Sequence, residues 1–134
     1  MPYRGRRVLV AGATGLVGMG VTRLLVERGA RVRATVHSSE PLLRFDGVEY
    51  VEADLTRPED CRRVVRDMDH VFMAAANTSG AATIAGSPLV HVTPNVVMNA
   101  LFLDACYQAD VGKVLCLGST TAYPDTGDRP VREE

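Results

Sequence analysis

The chain has 134 residues, 46% of them hydrophobic, with 15 basic and 16 acidic side chains and a formal net charge of −1. That length holds one domain around one core, and the even charge balance excludes the basic surface that a nucleic-acid-binding domain needs. The three cysteines lack CxxC spacing and the three histidines are scattered, so neither a disulfide framework nor a metal site is expected, and the thiols read as buried.

Arg4, Arg6 and Arg7, and later Arg62, Arg63 and Arg66, cluster in the sequence but read as solvated faces. Residues 7 to 11 are apolar and β-branched enough for a buried parallel strand. Gly12, Gly15 and Gly18 follow at GxxGxxG spacing, and from Leu16 the apolar positions Leu16, Val17, Val21, Leu24 and Leu25 predict one face of a helix. Glycines between a strand and a helix suit a tight turn, a bare backbone for a pyrophosphate and a close helix-strand contact, in that order. Gly12, Thr14, Gly15, Leu16, Val17 and Gly18 are therefore the candidate cofactor turn, with the helix N-terminus aimed at the phosphates.

Gly29 predicts the helix end, and Arg31 to His37 a second strand with Val32, Ala34 and Val36 on one face. After a polar connection from Glu40 to Gly47, Val48 to Ala53 predicts a third strand, followed directly by Asp54. Pro58 suits the first turn of a helix reaching about Asp67, and His70 to Ala75 a fourth strand running into the small residues Ala74, Ala75 and Ala76. Residues 77 to 87, rich in Ser, Thr, Gly and Ala, read as a functional loop. Leu89 to Ala109 predicts a long helix that Pro94 should kink or whose start it should displace, and Lys113 to Gly118 a fifth buried strand.

Alternating strands and helices predict an α/β fold, a Rossmann-type doubly wound parallel sheet of about five strands in the order 3-2-1-4-5. A ligand then belongs at the carboxyl edge, near the glycine turn, His37 and Ser38, Asp54 and Leu55, Ala75 to Gly80, and Ser119 with Thr120. An NAD enzyme commonly has an acid at the end of strand 2 for the ribose 2′-hydroxyl; here stand His37, Ser38 and Ser39, with Arg33 nearby in sequence. NADP(H) is expected in preference to NAD. No stretch is read as a membrane span and no signal segment precedes the first strand, so neither a membrane nor a nucleic acid is expected as partner and cytoplasmic residence is.

Gly12-Ala-Thr-Gly15-Leu-Val-Gly18, Ala53-Asp54-Leu55, Ala74-Ala75-Ala76, Asn95, and the run from Lys113 through Ser119 to Tyr123-Pro124 together resemble the extended short-chain dehydrogenase/reductase family. These are NAD(P)-dependent epimerases, dehydratases and reductases acting largely on nucleotide sugars, and Ala74 to Pro124 most resembles the GDP-fucose synthases among them. The resemblance implies that Asp54 accepts a hydrogen bond from the adenine amino group, that Leu55 lies beside the ring, and that Ala74, Ala75 and Ala76 border the nicotinamide side. It puts Ser119 at the catalytic Ser/Thr position and Asn95 in the catalytic network, and it implies a homodimer through the helix around residues 89–109. The plain alternatives are a strand-capping hydroxyl for Ser119, a turn carboxylate for Asp54, and ordinary packing for the helix.

The family's catalytic YxxxK pair follows later than Tyr123, and Lys113 is the only lysine of this chain. A tyrosine needs such a cation to serve as a proton partner near neutral pH. The sequence therefore reads as the N-terminal, NAD(P)-binding part of a longer enzyme, without the substrate lobe and inactive alone. A carbonyl reductase of the steroid or flavonoid type and a non-catalytic NAD(P)-binding regulator are the competing expectations.

Overall fold

The computed structural model describes residues 2–78, 86–87, 89–119, 123–127 and 129–131. Most of the expected 77 to 87 loop, Thr120, Ala122 and the terminal acids Glu133 and Glu134 lie outside the described residues. The elements are β1 (Arg7–Ala11), α1 (Leu16–Glu27), β2 (Arg31–Val36), β3 (Glu49–Glu52), α2 (Pro58–Val65), β4 (His70–Met73), α3 (Leu89–Gln108) and β5 (Lys113–Cys116). All five strands are parallel, in the expected order β3-β2-β1-β4-β5. Val8 of the central strand pairs with Val32 on one side and His70 on the other.

Alternate residues of β1 feed two cores. Val8 and Val10 join Leu25, Val32 and Ala34 under α1. Leu9 and Ala11 join Val71 and Met73, and α2 and α3 cover them with Cys61, Val64, Val65, Met98, Phe102 and Ala105. Both faces of the central strand are thus sealed, which is why its run of β-branched and aliphatic residues shows no polar alternation.

The buried stripe of α1 differs from the expected one. Gly18, Thr22 and Leu25 are buried, whereas Leu16 is 85% exposed and Val17 and Leu24 also face outward. At Gly18 the helix lies too close to the turn for a side chain, Leu25 packs further along, and the buried Thr22 hydroxyl donates to the Gly18 carbonyl at 2.8 Å. The helix ends as Gly29 predicts. Gly29, at φ +74°, donates to the Val26 carbonyl and Ala30 to that of Leu25, the paired bonds of a Schellman turn.

Helix α3 has the expected start and corrects one expectation. It begins at Leu89 and runs through Pro94, so the proline does not displace its start. With 20 residues and a mean hydropathy of 1.3, only 22% of its apolar window buried, it is long and apolar enough to cross a membrane, contrary to the reading that no stretch was. Here it lies along the sheet beside α2, burying Met98, Phe102, Ala105 and Cys106. The expectation of three buried thiols holds for Cys61 and Cys106; Cys116, on the edge strand β5, is exposed.

Candidate functional site

The carboxyl ends of β1, β2, β3 and β4 open into a cleft of about 540 Å³, lined by Gly12, Thr14 and Gly15, by Thr35 and His37 to Ser39, by Ala53 to Thr56, by Ala74 to Thr78, and by Pro94 and Met98 of α3. This is the crevice where the strand order reverses, between β1 and β4.

The three glycines meet three different demands. Gly12 has φ +82°, and a Cβ there would lie 2.6 Å from the backbone nitrogen and Cα of Ala75. Gly18 carries the helix against the turn, since a Cβ on it would lie 2.1 Å from the Gly12 carbonyl oxygen. Gly15 is exposed, and a Cβ on it would meet nothing closer than 3.6 Å, so its bareness serves whatever enters the cleft. The first bond of α1 runs from Met19 N–H to the Gly15 carbonyl at 2.9 Å. The N–H groups of Leu16, Val17 and Gly18 precede it and lie at the positive end of the helix dipole. Leu16, Val17 and Gly18 are not among the residues lining the cleft, and the side chains of Leu16 and Val17 face outward.

Thr35 holds the turn from the neighbouring strand. Its hydroxyl accepts from Gly12 N–H at 3.0 Å and its carbonyl from Ala13 N–H at 3.1 Å, and it is 3% exposed. Sequence reasoning passed over Thr35 because it falls off the Val32–Ala34–Val36 face; a lone hydroxyl in an otherwise buried strand beside the glycine turn was the available signal. Thr56, Pro94 and Met98 are the other lining residues it missed, whereas Ser39, Asn77 and Thr78 fall in stretches it had placed at this edge.

On the opposite wall, Asp54 accepts from the Thr56 hydroxyl at 2.6 Å and the Thr56 N–H at 2.9 Å through Oδ1. These bonds, the hydroxyl's first, hold its carboxyl below the usual carboxylate range, with His37 and Arg57 adding positive charge nearby. Asp54 N–H in turn donates to Asp60 of α2 at 2.9 Å. The carboxylate is therefore both a turn-former and a charged acceptor on the wall, and Leu55, 5% exposed, forms the apolar floor beside it.

Arg33 does not reach the cleft. Its guanidinium donates to Glu49 at 2.8 Å and to the carbonyls of Val64 and Arg66 at 3.0 and 3.1 Å, closing the end of α2. Asn95 is also off the lining, its amide committed to the backbone of Asn77 and His91. Ser119 follows β5 as an exposed residue outside the cleft lining. Among the described residues no group of His, Cys, Asp and Glu could hold a metal ion.

Residues 8–134 match the model of the NAD dependent epimerase/dehydratase family. The chain belongs to that family. Within reach of it, the GDP-L-fucose synthase of Sinorhizobium fredii is 30% identical over 97% of this chain and 38% of its own length. The 2-alkyl-3-oxoalkanoate reductase of Stenotrophomonas maltophilia is 32% identical over 93% of this chain and 36% of its own length. Among solved structures, the UDP-glucose 4-epimerase of Thermus thermophilus in complex with NAD is 28% identical, with a TM-score of 0.71 over 81% of this chain and 36% of that one. This family member thus spans less than two fifths of the length of these three relatives.

The cleft suits the dinucleotide that gives the family its description. A bare, positively polarised backbone stands at its centre, and a hydrogen-bonding rim of His37, Ser38 and Ser39 at one side. Small alanines form the other side.

Proposed function

We propose that this chain is the cofactor-binding part of an NAD(P)-dependent enzyme that moves hydride to or from a nucleotide sugar, as a reductase, epimerase or dehydratase. The observation that carries the reading is the glycine turn, in which Gly12 and Gly18 are forced by packing while Gly15 stays bare at the mouth of the cleft. When bound, a nicotinamide dinucleotide supplies the hydride donor or acceptor. The residues of this chain hold it. The N–H groups opening α1 face its pyrophosphate, Asp54 accepts from the adenine amino group beside Leu55, and Ala74 to Ala76 leave room for the nicotinamide.

Ser119 donates a hydrogen bond to the substrate oxygen as its charge changes. The proton itself needs a tyrosine with a lysine four residues on, a pair this sequence does not contain, so the remainder of the protein supplies it and residues 1–134 alone are inactive. The similarity to GDP-L-fucose synthase supports a nucleotide-sugar substrate, and that to 2-alkyl-3-oxoalkanoate reductase favours a second reading, reduction of a ketone that carries no nucleotide.

NADP(H) is the preferred cofactor. With Arg33 turned away, the reading rests on His37, Ser38 and Ser39, which offer a 2′-phosphate hydrogen bonds and no carboxylate, and on the nearby charge of Arg57. The working unit is a homodimer through α3, whose Val92, Val96, Leu103 and Tyr107 are 44–83% exposed. Fluorescence titration of the full-length protein with NADPH and NADH tests the reading. NADPH binds more tightly, and His37→Asp weakens NADPH more than NADH. Equal losses overturn the NADP assignment, and no binding of either dinucleotide overturns the function.

A further inference from the structure

The wall of the cleft after β4 has few means of holding itself in place. Ala74, Ala75 and Ala76 carry no polar side chain, so their path is set by the backbone bonds at either end. At one end Ala74 N–H donates to the Ala11 carbonyl at 2.9 Å, extending the β1–β4 ladder. At the other, Asn77 is held by side chains of α3, chiefly Asn95. The Asn77 N–H donates to Asn95 Oδ1 at 2.8 Å and its carbonyl accepts from Asn95 Nδ2 at 2.9 Å, with His91 Nδ1 3.4 Å from the same carbonyl oxygen. The side-chain amide thereby copies the paired bonds of a neighbouring strand.

Asn95 Nδ2 makes a further bond, to the His91 carbonyl one turn back, at 2.8 Å. The amide thus uses its acceptor oxygen and its donor nitrogen together, and the second bond fixes the side chain to its own helix. Pro94 precedes Asn95 and has no N–H, and it lines the cleft with Met98 while Asn95 does not. Between the two anchors lies Ala75, whose nitrogen and Cα are the atoms that crowd Gly12. The separation of the glycine turn from the far wall is therefore set by where Asn95 holds Asn77.

We propose that Asn95 is a positioning residue, which clamps the backbone of Asn77 to α3 and so sets the width of the cleft where the nicotinamide half of the dinucleotide enters. The inference rests on the cofactor reading above and assigns Asn95 no contact with the reacting atoms. Neither of the nearest substitutes preserves the clamp. Asp keeps an acceptor for the Asn77 N–H but turns negative charge on two carbonyls, and Ala removes every bond.

The test compares NADPH with ADP as probes of the full-length protein. ADP reports on the adenine wall and the glycine turn, and NADPH adds the nicotinamide half. Asn95→Ala and Asn95→Asp weaken NADPH about tenfold, as expected for one or two net hydrogen bonds, and leave ADP within about twofold. Equal weakening of both probes, or no change in either, overturns the proposal. Because a variant could fail to fold, amide exchange in the unaltered protein gives a second measure, with the Asn77 N–H protected like that of Ala74. Rapid exchange at Asn77 overturns the clamp, whereas failure of the unaltered protein to bind NADPH overturns the cofactor reading first.

Discussion

Replacing Gly18 with alanine adds one atom at the tightest point between α1 and the turn. Its Cβ would lie 2.1 Å from the Gly12 carbonyl oxygen, 2.8 Å from the carbonyl carbon and 3.1 Å from the Ala13 Cα. Ordinary contact begins at 3.4 Å, so helix and turn must part by about 1.3 Å, the difference between 3.4 and 2.1 Å. Every atom it meets is backbone, so no side-chain rotation relieves the clash. Overpacking of this kind costs ~1–3 kcal/mol, and a backbone clash falls at the upper end. Alanine returns ~1 kcal/mol of helix propensity, leaving a net loss of ~2 kcal/mol, about 30-fold in the folding equilibrium. Gly20→Ala is the control, in the same helix with nothing within 4 Å of its Cβ, and should gain up to ~1 kcal/mol. Urea unfolding of the two variants beside the parent measures the difference, and dinucleotide titration should show weaker binding for Gly18→Ala alone. If both variants are equally stable, the close contact of helix and turn is not what fixes glycine at this position.

Thr35→Val keeps the shape of the strand but leaves the Gly12 N–H without its acceptor, so stability should fall by ~1–3 kcal/mol with weaker dinucleotide binding, read by denaturation and titration. The thiols differ in access. Burial pushes Cys61 up to about 11 and Cys106 up to about 12, so a maleimide at neutral pH should label Cys116 in the folded protein and reach the other two only in denaturant, as mass spectrometry of tryptic peptides would show. Asp60 is held below the usual carboxylate range by Arg63 and then by the Asp54 N–H. Its contribution to stability is therefore complete above that range and is lost as the pH falls below about 4 through the depressed value. Asp60→Asn should flatten that part of an acid-unfolding curve, and an unchanged curve would exclude the carboxylate as its source.

The strand order and the site edge were legible because β1 and β4 carry apolar runs, β2 alternates, and the breaks between them carry glycine, proline and acids. What the sequence hid is where small atoms outrank large ones. Counting apolar residues on α1 selected Leu16, Val17, Val21, Leu24 and Leu25, yet only Leu25 is buried and Val21 packs beside it, while Gly18 and Thr22 take the buried positions nearest the turn. Arg33 misled for a different reason. Arg33 and His37 share a face of the extended chain, but four residues of strand set Arg33 roughly 13 Å back from the carboxyl edge, and its guanidinium went to the end of α2. Asn95 stood out in the sequence, but its partner Asn77 lies on a different element, and no local pattern links the two.

A seat built from absent atoms also separates affinity from choice. The turn from Gly12 to Gly18 faces the cleft with backbone and with Thr14 as its one polar side chain. Adding an atom can spoil such a seat, and so can loss of the Thr35 hydroxyl that holds the turn from the neighbouring strand. Under the proposed function, discrimination between one dinucleotide and another falls to the rim, to His37, Ser38 and Ser39, where side chains can change without touching the packing of α1 on β1. An engineer seeking to alter cofactor preference would leave the glycines alone and work on those three positions.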